Sequence, residues 1–403
     1  MIGVFLFFAV LIVLDIYAYQ AFRFLVKNRW STVLYFVITV FIIGGLFFTA
    51  NRGSIKPITQ FFLIALVIMV VSKIVLIVMM FGEDVFRFIE GIYYKLSGKQ
   101  ETLSIPSRRK FISQIALGLT AIPFLSILYG VFKGKYNYKV LKYVLEYDDL
   151  PDAFDGYRIT QISDIHSGSF DNPDKVAYAV NLVNEQESDA IFFTGDMVNN
   201  EAVEMESWMD IFSTLKAKDG KFSVLGNHDY GDYIEWDSKE VKAANLERLK
   251  TIQKEIGFDL ILNDSRFLER NGQRLAVIGV ENWGAGGFKK AGDLNKALER
   301  VDKNDFKILL SHDPSHWEQE VIQHPEHMHL TLSGHTHGMQ FGIEIPGWFK
   351  WSPVKWRYKY WAGVYEQLGQ YINVNRGFGY LAFPGRVGIW PEITVIELKK
   401  KFA

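Results

Sequence analysis

Residues 157–168 read Tyr-Arg-Ile-Thr-Gln-Ile-Ser-Asp-Ile-His-Ser-Gly. The β-rich run Arg158–Ile165 ends on Asp164-Ile165-His166, an apolar strand that delivers a carboxylate and an imidazole. The same event recurs four times downstream. Ala190–Thr194 ends in Gly195-Asp196, and Phe222–Leu225 in Gly226-Asn227-His228-Asp229. Ile308–Leu310 ends in Ser311-His312-Asp313, and His329–Leu332 leads into Gly334-His335-Thr336-His337-Gly338. Helical stretches separate these runs, so an α/β fold is expected with its site at the strand ends.

The donor types narrow the chemistry. Imidazole with carboxylate suits borderline divalent metals such as Mn, Fe or Zn rather than Ca. The donors are too many for one tetrahedral ion and enough for two ions sharing a carboxylate. Two ions ~3.5–4 Å apart clamp the attacking and leaving oxygens of a phosphoryl displacement. Glycines beside Asp196, Asn227 and His335 allow backbone to approach closely.

Singly these residues are caps and turns; as an ordered set they are specific. The chain resembles the calcineurin-like metallophosphoesterases, whose blocks D-x-H, G-D, G-N-H-[DE], H and G-H-x-H occur here in order. The resemblance covers about residues 157–398, including Pro391-Glu392-Ile393-Thr394. The membrane-anchored bacterial branch is the nearest by Ser163-Asp164-Ile165-His166-Ser167-Gly168 and Gly334-His335-Thr336-His337-Gly338.

The resemblance implies a four-layer α/β/β/α sandwich with two divalent ions. It assigns Asp164, His166, Asp196 and His337 to the first, and Asp196, Asn227, His312 and His335 to the second, with Asp196 bridging. It further implies a metal-held hydroxide as nucleophile and His228 as the catalytic group that stabilises the transition state and protonates the leaving oxygen. Two positions depart from the family pattern. Asn199 stands where an Asp often orients the catalytic His, and Met339 replaces the second Gly of G-H-T-H-G-G-Q. His316, His324, His327 and His329 match no motif and read as core or surface histidines.

Upstream the chemistry changes. All nine His lie at 166 or later, while apolar runs fill 2–22, 33–50, 59–81 and, less strongly, 111–130. Runs near the ~20 residues that cross a bilayer predict a membrane anchor of about four helices in 1–130. Residues 131–156 read as a linker, and 157–403 as the catalytic domain. Arg23, Lys27 and Arg29 in the first link, and Arg87, Lys95, Lys99, Arg108, Arg109 and Lys110 in the third, outweigh Arg52 and Lys56 in the second. The positive-inside rule then puts the N-terminus outside and the catalytic domain outside the cytoplasm, on a multi-pass inner-membrane protein.

Ser107-Arg108-Arg109-Lys110-Phe111-Ile112, before a mildly apolar run, is similar to a twin-arginine export signal, which makes that export machinery an expected partner. No small-x-small cleavage site follows, so the run is expected to stay as an anchor. Asp15 and Lys73 fall at nearly equal depth and read as a structural pair rather than an ion path.

Composition agrees. The 403 residues are 49% hydrophobic and 22% charged, with mean hydropathy +0.05, high for a soluble chain. Net charge −1 argues against a general nucleic-acid binder. With no Cys, disulfides, thiolate zinc sites and Cys nucleophiles are excluded.

After the last motif, residues 346–361 interleave Trp348, Trp351, Trp356 and Trp361 with Lys350, Lys355, Arg357 and Lys359. This mixture suits a membrane interface or a loop packed on the sandwich. Segments 230–262 and 283–288 are expected as loops over the metals. The expected activity is hydrolysis of a phosphodiester or phosphomonoester, lipid-linked or extracytoplasmic. The alternatives are pyrophosphate hydrolysis of a nucleotide-sugar lipid precursor and a non-catalytic membrane sensor.

Overall fold

The computed structural model describes residues 2–23, 28–49, 57–98, 106–345 and 347–401. Lys27, Arg52, Lys56 and Lys99 of the link count, the Ser107 side chain and Pro346 lie outside the described residues. The chain divides into two compact units, Met1–Tyr129 and Gly130–Ala403.

The first unit is helical: α1 Ile2–Arg23, α2 Arg29–Thr49, α3 Pro57–Ser97 and α4 Pro106–Phe132. Among the described residues, three helices are long and apolar enough to cross a membrane, over Arg29–Thr49, Ile58–Ser97 and Arg108–Phe132. Asp15 of α1 and Lys73 of α3 form a direct ion pair. The Lys73 ammonium also donates to Thr39 Oγ1 of α2 at 2.9 Å, so the three helices share one polar tie.

The link expected at 82–110 is shorter, because α3 runs on to Ser97 with no proline to stop it. Its extension carries acids that meet the arginine pair. Arg108 reaches Glu83 at 3.4 Å and Glu90 at 3.3 Å, and Arg109 reaches Asp84 at 2.7 Å.

The second unit holds two six-stranded sheets. In spatial order the first is β1 Lys139–Tyr147, β14 Glu392–Lys400, β2 Tyr157–Ile162, β3 Ala190–Phe193, β4 Lys221–Ser223 and β5 Asp259–Leu260. The second is β12 Gly363–Gln367, β13 Gln370–Val374, β9 Leu330–Ser333, β8 Phe306–Leu310, β7 Gln273–Gly279 and β6 Asp264–Arg270. A ribbon of β10 Ile343–Ile345 and β11 Phe349–Trp351 stands apart.

The strands that carry the motifs are parallel, and apolar side chains leave both faces. Alternate residues therefore feed different layers. Phe192, Ile159, Ile308 and Leu330 meet between the sheets. Ile191 and Phe193 point the other way, onto Val180, Leu249 and Ile252 of the helices Pro173–Asn184 and Lys239–Glu255. Leu309 and Ile278 face outward onto Leu294 and Trp317. Three apolar cores between four layers make the α/β/β/α sandwich.

Two expectations are corrected here. Residues 139–147, read as linker, form β1, paired in parallel with β14 from Lys139↔Glu392 to Tyr147↔Lys400. As an edge strand it mixes exposed Lys139, Lys142 and Glu146 with buried Leu145 and Tyr147. Segment 230–262, read as loop, contains the helix Lys239–Glu255, N-capped by the Ser238 side chain.

Candidate metal centre

Strands β2, β3, β4, β8 and β9 each end at one edge of the sandwich, and the chain turns sharply as it leaves them. Asp164, His166, Asp196, His335 and His337 all take left-handed backbone, with φ between 47° and 71°. Such conformations are costly outside glycine and persist where the surroundings over-determine them. Close packing explains two of the neighbouring glycines. A Cβ on Gly226 would collide with the Asp196 carboxylate, and one on Gly334 with Ser163 Oγ and the Asp164 carboxylate.

The turns assemble two triads. Donor atoms of Asp164, His166 and His337 lie within 4.8 Å of one another, as do those of Asp196, His312 and His335. In the first, His337 Nε2 is 3.2 Å from Asp164 Oδ1 and 3.0 Å from His166 Nε2. In the second, His312 Nε2 is 3.0 Å from Asp196 Oδ2 and 3.3 Å from His335 Nδ1. The same Asp196 oxygen lies 3.6 Å from His166 Nε2, so one carboxylate reaches both groups.

Asn227 is buried beside them. Its amide donates to Tyr233 Oη at 2.8 Å, while its Oδ1 has no hydrogen-bond partner. An orphaned buried acceptor is expensive unless a cation meets it. Together with the two triads, it makes a donor set that fits two divalent ions.

Protonation is set for ligation. Burial would raise the Asp164 carboxyl, but His337 and His312 outweigh it and hold it well below the usual range. Asp196 is likewise pulled down by His312 and His228 against its burial. Burial pushes the His166 and His335 imidazoles down toward neutrality, the form that donates a lone pair. His312 is the exception. Burial lowers it, but Asp196 outweighs that and raises it to about 10, so a cation arriving there displaces a proton.

The ring nitrogens not facing the centre are held from behind. His312 Nδ1 bonds the Thr194 carbonyl at 2.7 Å, His335 Nε2 meets Tyr358 Oη at 2.8 Å and His166 Nδ1 meets Asn199 Oδ1 at 3.1 Å. Such partners fix ring tautomer and orientation.

His228 belongs to neither triad but lines the same cavity of about 390 Å³ as Asp196, Asn227, His335 and His337. Its Nδ1–H donates to the Asn199 main-chain carbonyl at 2.7 Å. A carbonyl thus holds the ring where the family often uses an Asp side chain. His316, His324, His327 and His329 stand outside the triads; His316 stacks on Trp283, and His329 bonds Asp149 at 2.9 Å.

Three further residues support the centre without a role read from sequence. Asp229 accepts from the amides of Asp196 (3.0 Å), Met197 (2.8 Å) and Gly226 (2.8 Å), tying two ligand loops together. Burial and the Asp196 charge raise its carboxyl to about 7. Tyr358 positions His335. Arg386, fully buried, donates to the Gly379 carbonyl, and the Gly379 amide in turn donates to the Asp164 carbonyl at 2.8 Å. Only Asp229 had a sequence signal, as the acid closing G-N-H-[DE].

Comparison with known proteins agrees with this geometry. Residues 157–339 match the family model described as "Calcineurin-like phosphoesterase", and residues 1–135 that of "Probable Calcineurin-like phosphoesterase, transmembrane domain". An uncharacterized metallophosphoesterase of Bacillus subtilis is 30% identical over 253 residues, 62% of this chain and 82% of that protein. One from Aquifex aeolicus is 26% identical over 69% of this chain and 99% of its own length. A transmembrane protein with metallophosphoesterase domain from Danio rerio is 27% identical over 71% of this chain and 62% of its own. With two metal-ready triads in one unit and apolar helices in the other, the chain belongs to the calcineurin-like metallophosphoesterases, hydrolases acting on phosphate esters.

Proposed function

We propose that this hydrolase cleaves a lipid-linked phosphodiester or phosphomonoester on the extracytoplasmic side of the inner membrane, as a multi-pass protein. The observation that carries the reading is the mixed lining of the cavity. Metal donors and His228 line it together with Phe288, Met339, Val354, Trp356 and Leu381, and with Arg357. A small soluble phosphate ester needs no such apolar lining, whereas an acyl or prenyl chain beside the scissile phosphate does.

When bound, two ions of the Mn, Fe or Zn type supply charge that polarises the phosphoryl oxygens and acidifies water. The chain's own groups do the rest. His228, with Nδ1–H committed to Asn199, presents Nε2 to the cavity for proton delivery to the leaving oxygen. Arg357, stacked over Phe288 with its guanidinium carbon 4.9 Å from the ring, offers a fixed cation to the substrate's anionic end.

The purified full chain with Mn, assayed on a lipid phosphodiester in mixed micelles and on bis(p-nitrophenyl) phosphate, tests this. At ~0.8 kcal/mol per buried methylene, two methylenes on the apolar lining raise kcat/KM about tenfold for the lipid. A preference for the soluble diester would remove the lipid assignment and leave the phosphoesterase intact.

Export is proposed to use the twin-arginine machinery, which suits a domain that folds around metals first. Changing Arg108 and Arg109 to Lys keeps their charge and their acidic partners on α3. The expected result is that external protease cuts residues 157–398 in the parent and fails to reach them in the variant. Equal cutting would reduce the pair to an ion-paired basic flank. Protection of both would reverse the topology and favour a cytoplasmic nucleotide-sugar lipid precursor.

A further inference from the structure

The ribbon β10–β11 is inside out. In an antiparallel pair, directly opposed residues share a face and alternate residues return to it. The pairing Ile343↔Trp351, Glu344↔Lys350, Ile345↔Phe349 therefore puts Ile343, Ile345, Phe349 and Trp351 on one face and Glu344 and Lys350 on the other. A soluble hairpin turns its apolar face to the core. Here the polar face is the attached one. Glu344 pairs with the buried Arg376 at 2.6 Å, and the Lys350 ammonium donates to the Ala362 carbonyl at 2.5 Å.

The apolar face looks into solvent, with Ile343 56%, Ile345 44% and Phe349 48% exposed. Trp348, beside the turn, is 81% exposed and nearby Trp356 75%. The other large exposed apolar residues of this unit are scattered, which is ordinary for a surface. A concentrated patch is not.

Cations border it. Lys355, Arg357 and Lys359 are exposed and, among the described residues, form no ion pair; Arg357 and Lys359 lie over aromatic rings instead. Exposed Trp and aliphatic residues at the tip with cations around them follow the order from apolar interior to anionic headgroups at a lipid surface.

We propose that the β10–β11 pair, with Trp348, is a wedge that seats in the interfacial layer of an anionic bilayer. The occupant is argued from this charge and polarity order and from the apolar helices of the same chain, which keep a bilayer at high local concentration. Seating holds for any substrate, so it does not depend on the lipid-linked reading above. It adds a second attachment that keeps the catalytic unit at the surface.

The absence of cysteine makes the test direct. Trp348→Cys, and separately Ile345→Cys, are labelled with an environment-sensitive dye in the full chain, one chain per nanodisc of phosphatidylglycerol and phosphatidylcholine. Tyr178→Cys, an exposed position on helix Pro173–Asn184, is the control. Retained hydrolysis of the soluble diester shows that each variant is folded. The expected result is a blue-shifted emission at 345 and 348, quenching by nitroxide carried near the lipid headgroup, and protection from aqueous iodide, with the reverse at 178. Replacing phosphatidylglycerol by phosphatidylcholine should weaken the nitroxide quenching.

Full iodide access at 345 and 348, equal to that at 178, would overturn the wedge. Iodide protection that lacks nitroxide quenching and grows with protein concentration would also overturn it, assigning the face to contact between chains.

Discussion

Asp196→Asn should abolish hydrolysis and strip metal from the protein at the same time. The Asp196 Oδ2 atom lies 3.0 Å from His312 Nε2 in its own triad and 3.6 Å from His166 Nε2 of the other, which places its carboxylate between the two. An amide in its place is neutral and turns either a weak oxygen or an N–H donor toward cations. If two ions bind here, Asp196 would be the anion lying between them, and losing a few kcal/mol of transition-state charge stabilisation corresponds to about a 10³-fold loss in kcat/KM. The backbone should stay in place, since Asp229 holds the Asp196 and Met197 amides independently of the side chain. Metal analysis beside a diesterase assay decides it. A variant with full metal content and more than a tenth of parental activity would remove Asp196 from the bridging role.

What could be read from sequence follows from where the information is stored. Apolar runs ending on Asp, His or Asn are a pattern of side chains, so the ends of β2, β3, β4, β8 and β9 could be located in advance. The partners behind the ligands are largely main chain, and a carbonyl carries no residue identity. Thr194 behind His312 and Asn199 behind His228 act through C=O groups that any residue would supply. Tyr358 reaches His335 from the aromatic and basic segment, where its role was masked by four tryptophans.

β1 was missed for a different reason. Its charges belong to an edge strand with one solvent face, so its composition is that of a linker while alternation marks Leu145 and Tyr147 as inward. The inverted ribbon shows the converse: its alternation is regular, but the contacts of Glu344 with Arg376 and of Lys350 with the Ala362 carbonyl reveal which face is fastened.

His228→Ala should separate chemistry from metal binding. Its ring lies 5.0 Å from the His166 ring, close to the centre yet in neither triad. Its Nδ1–H is spent on the Asn199 carbonyl, which leaves Nε2 as the one ring nitrogen able to carry a proton into the cavity. Removing the ring deletes that proton donor but no metal donor. Metal content should therefore match the parent, while kcat falls by about 10²–10⁴-fold, the usual range for loss of a positioned acid. The loss should also depend on the leaving group. A p-nitrophenyl ester expels a stable phenolate and needs little protonation, so the variant should handle it better than an alkyl ester, whose alkoxide cannot leave without a proton. An equal loss on both esters would confine His228 to charge stabilisation. A loss of metal as large as in Asp196→Asn would make it a ligand and overturn the assignment of acid and ligand roles.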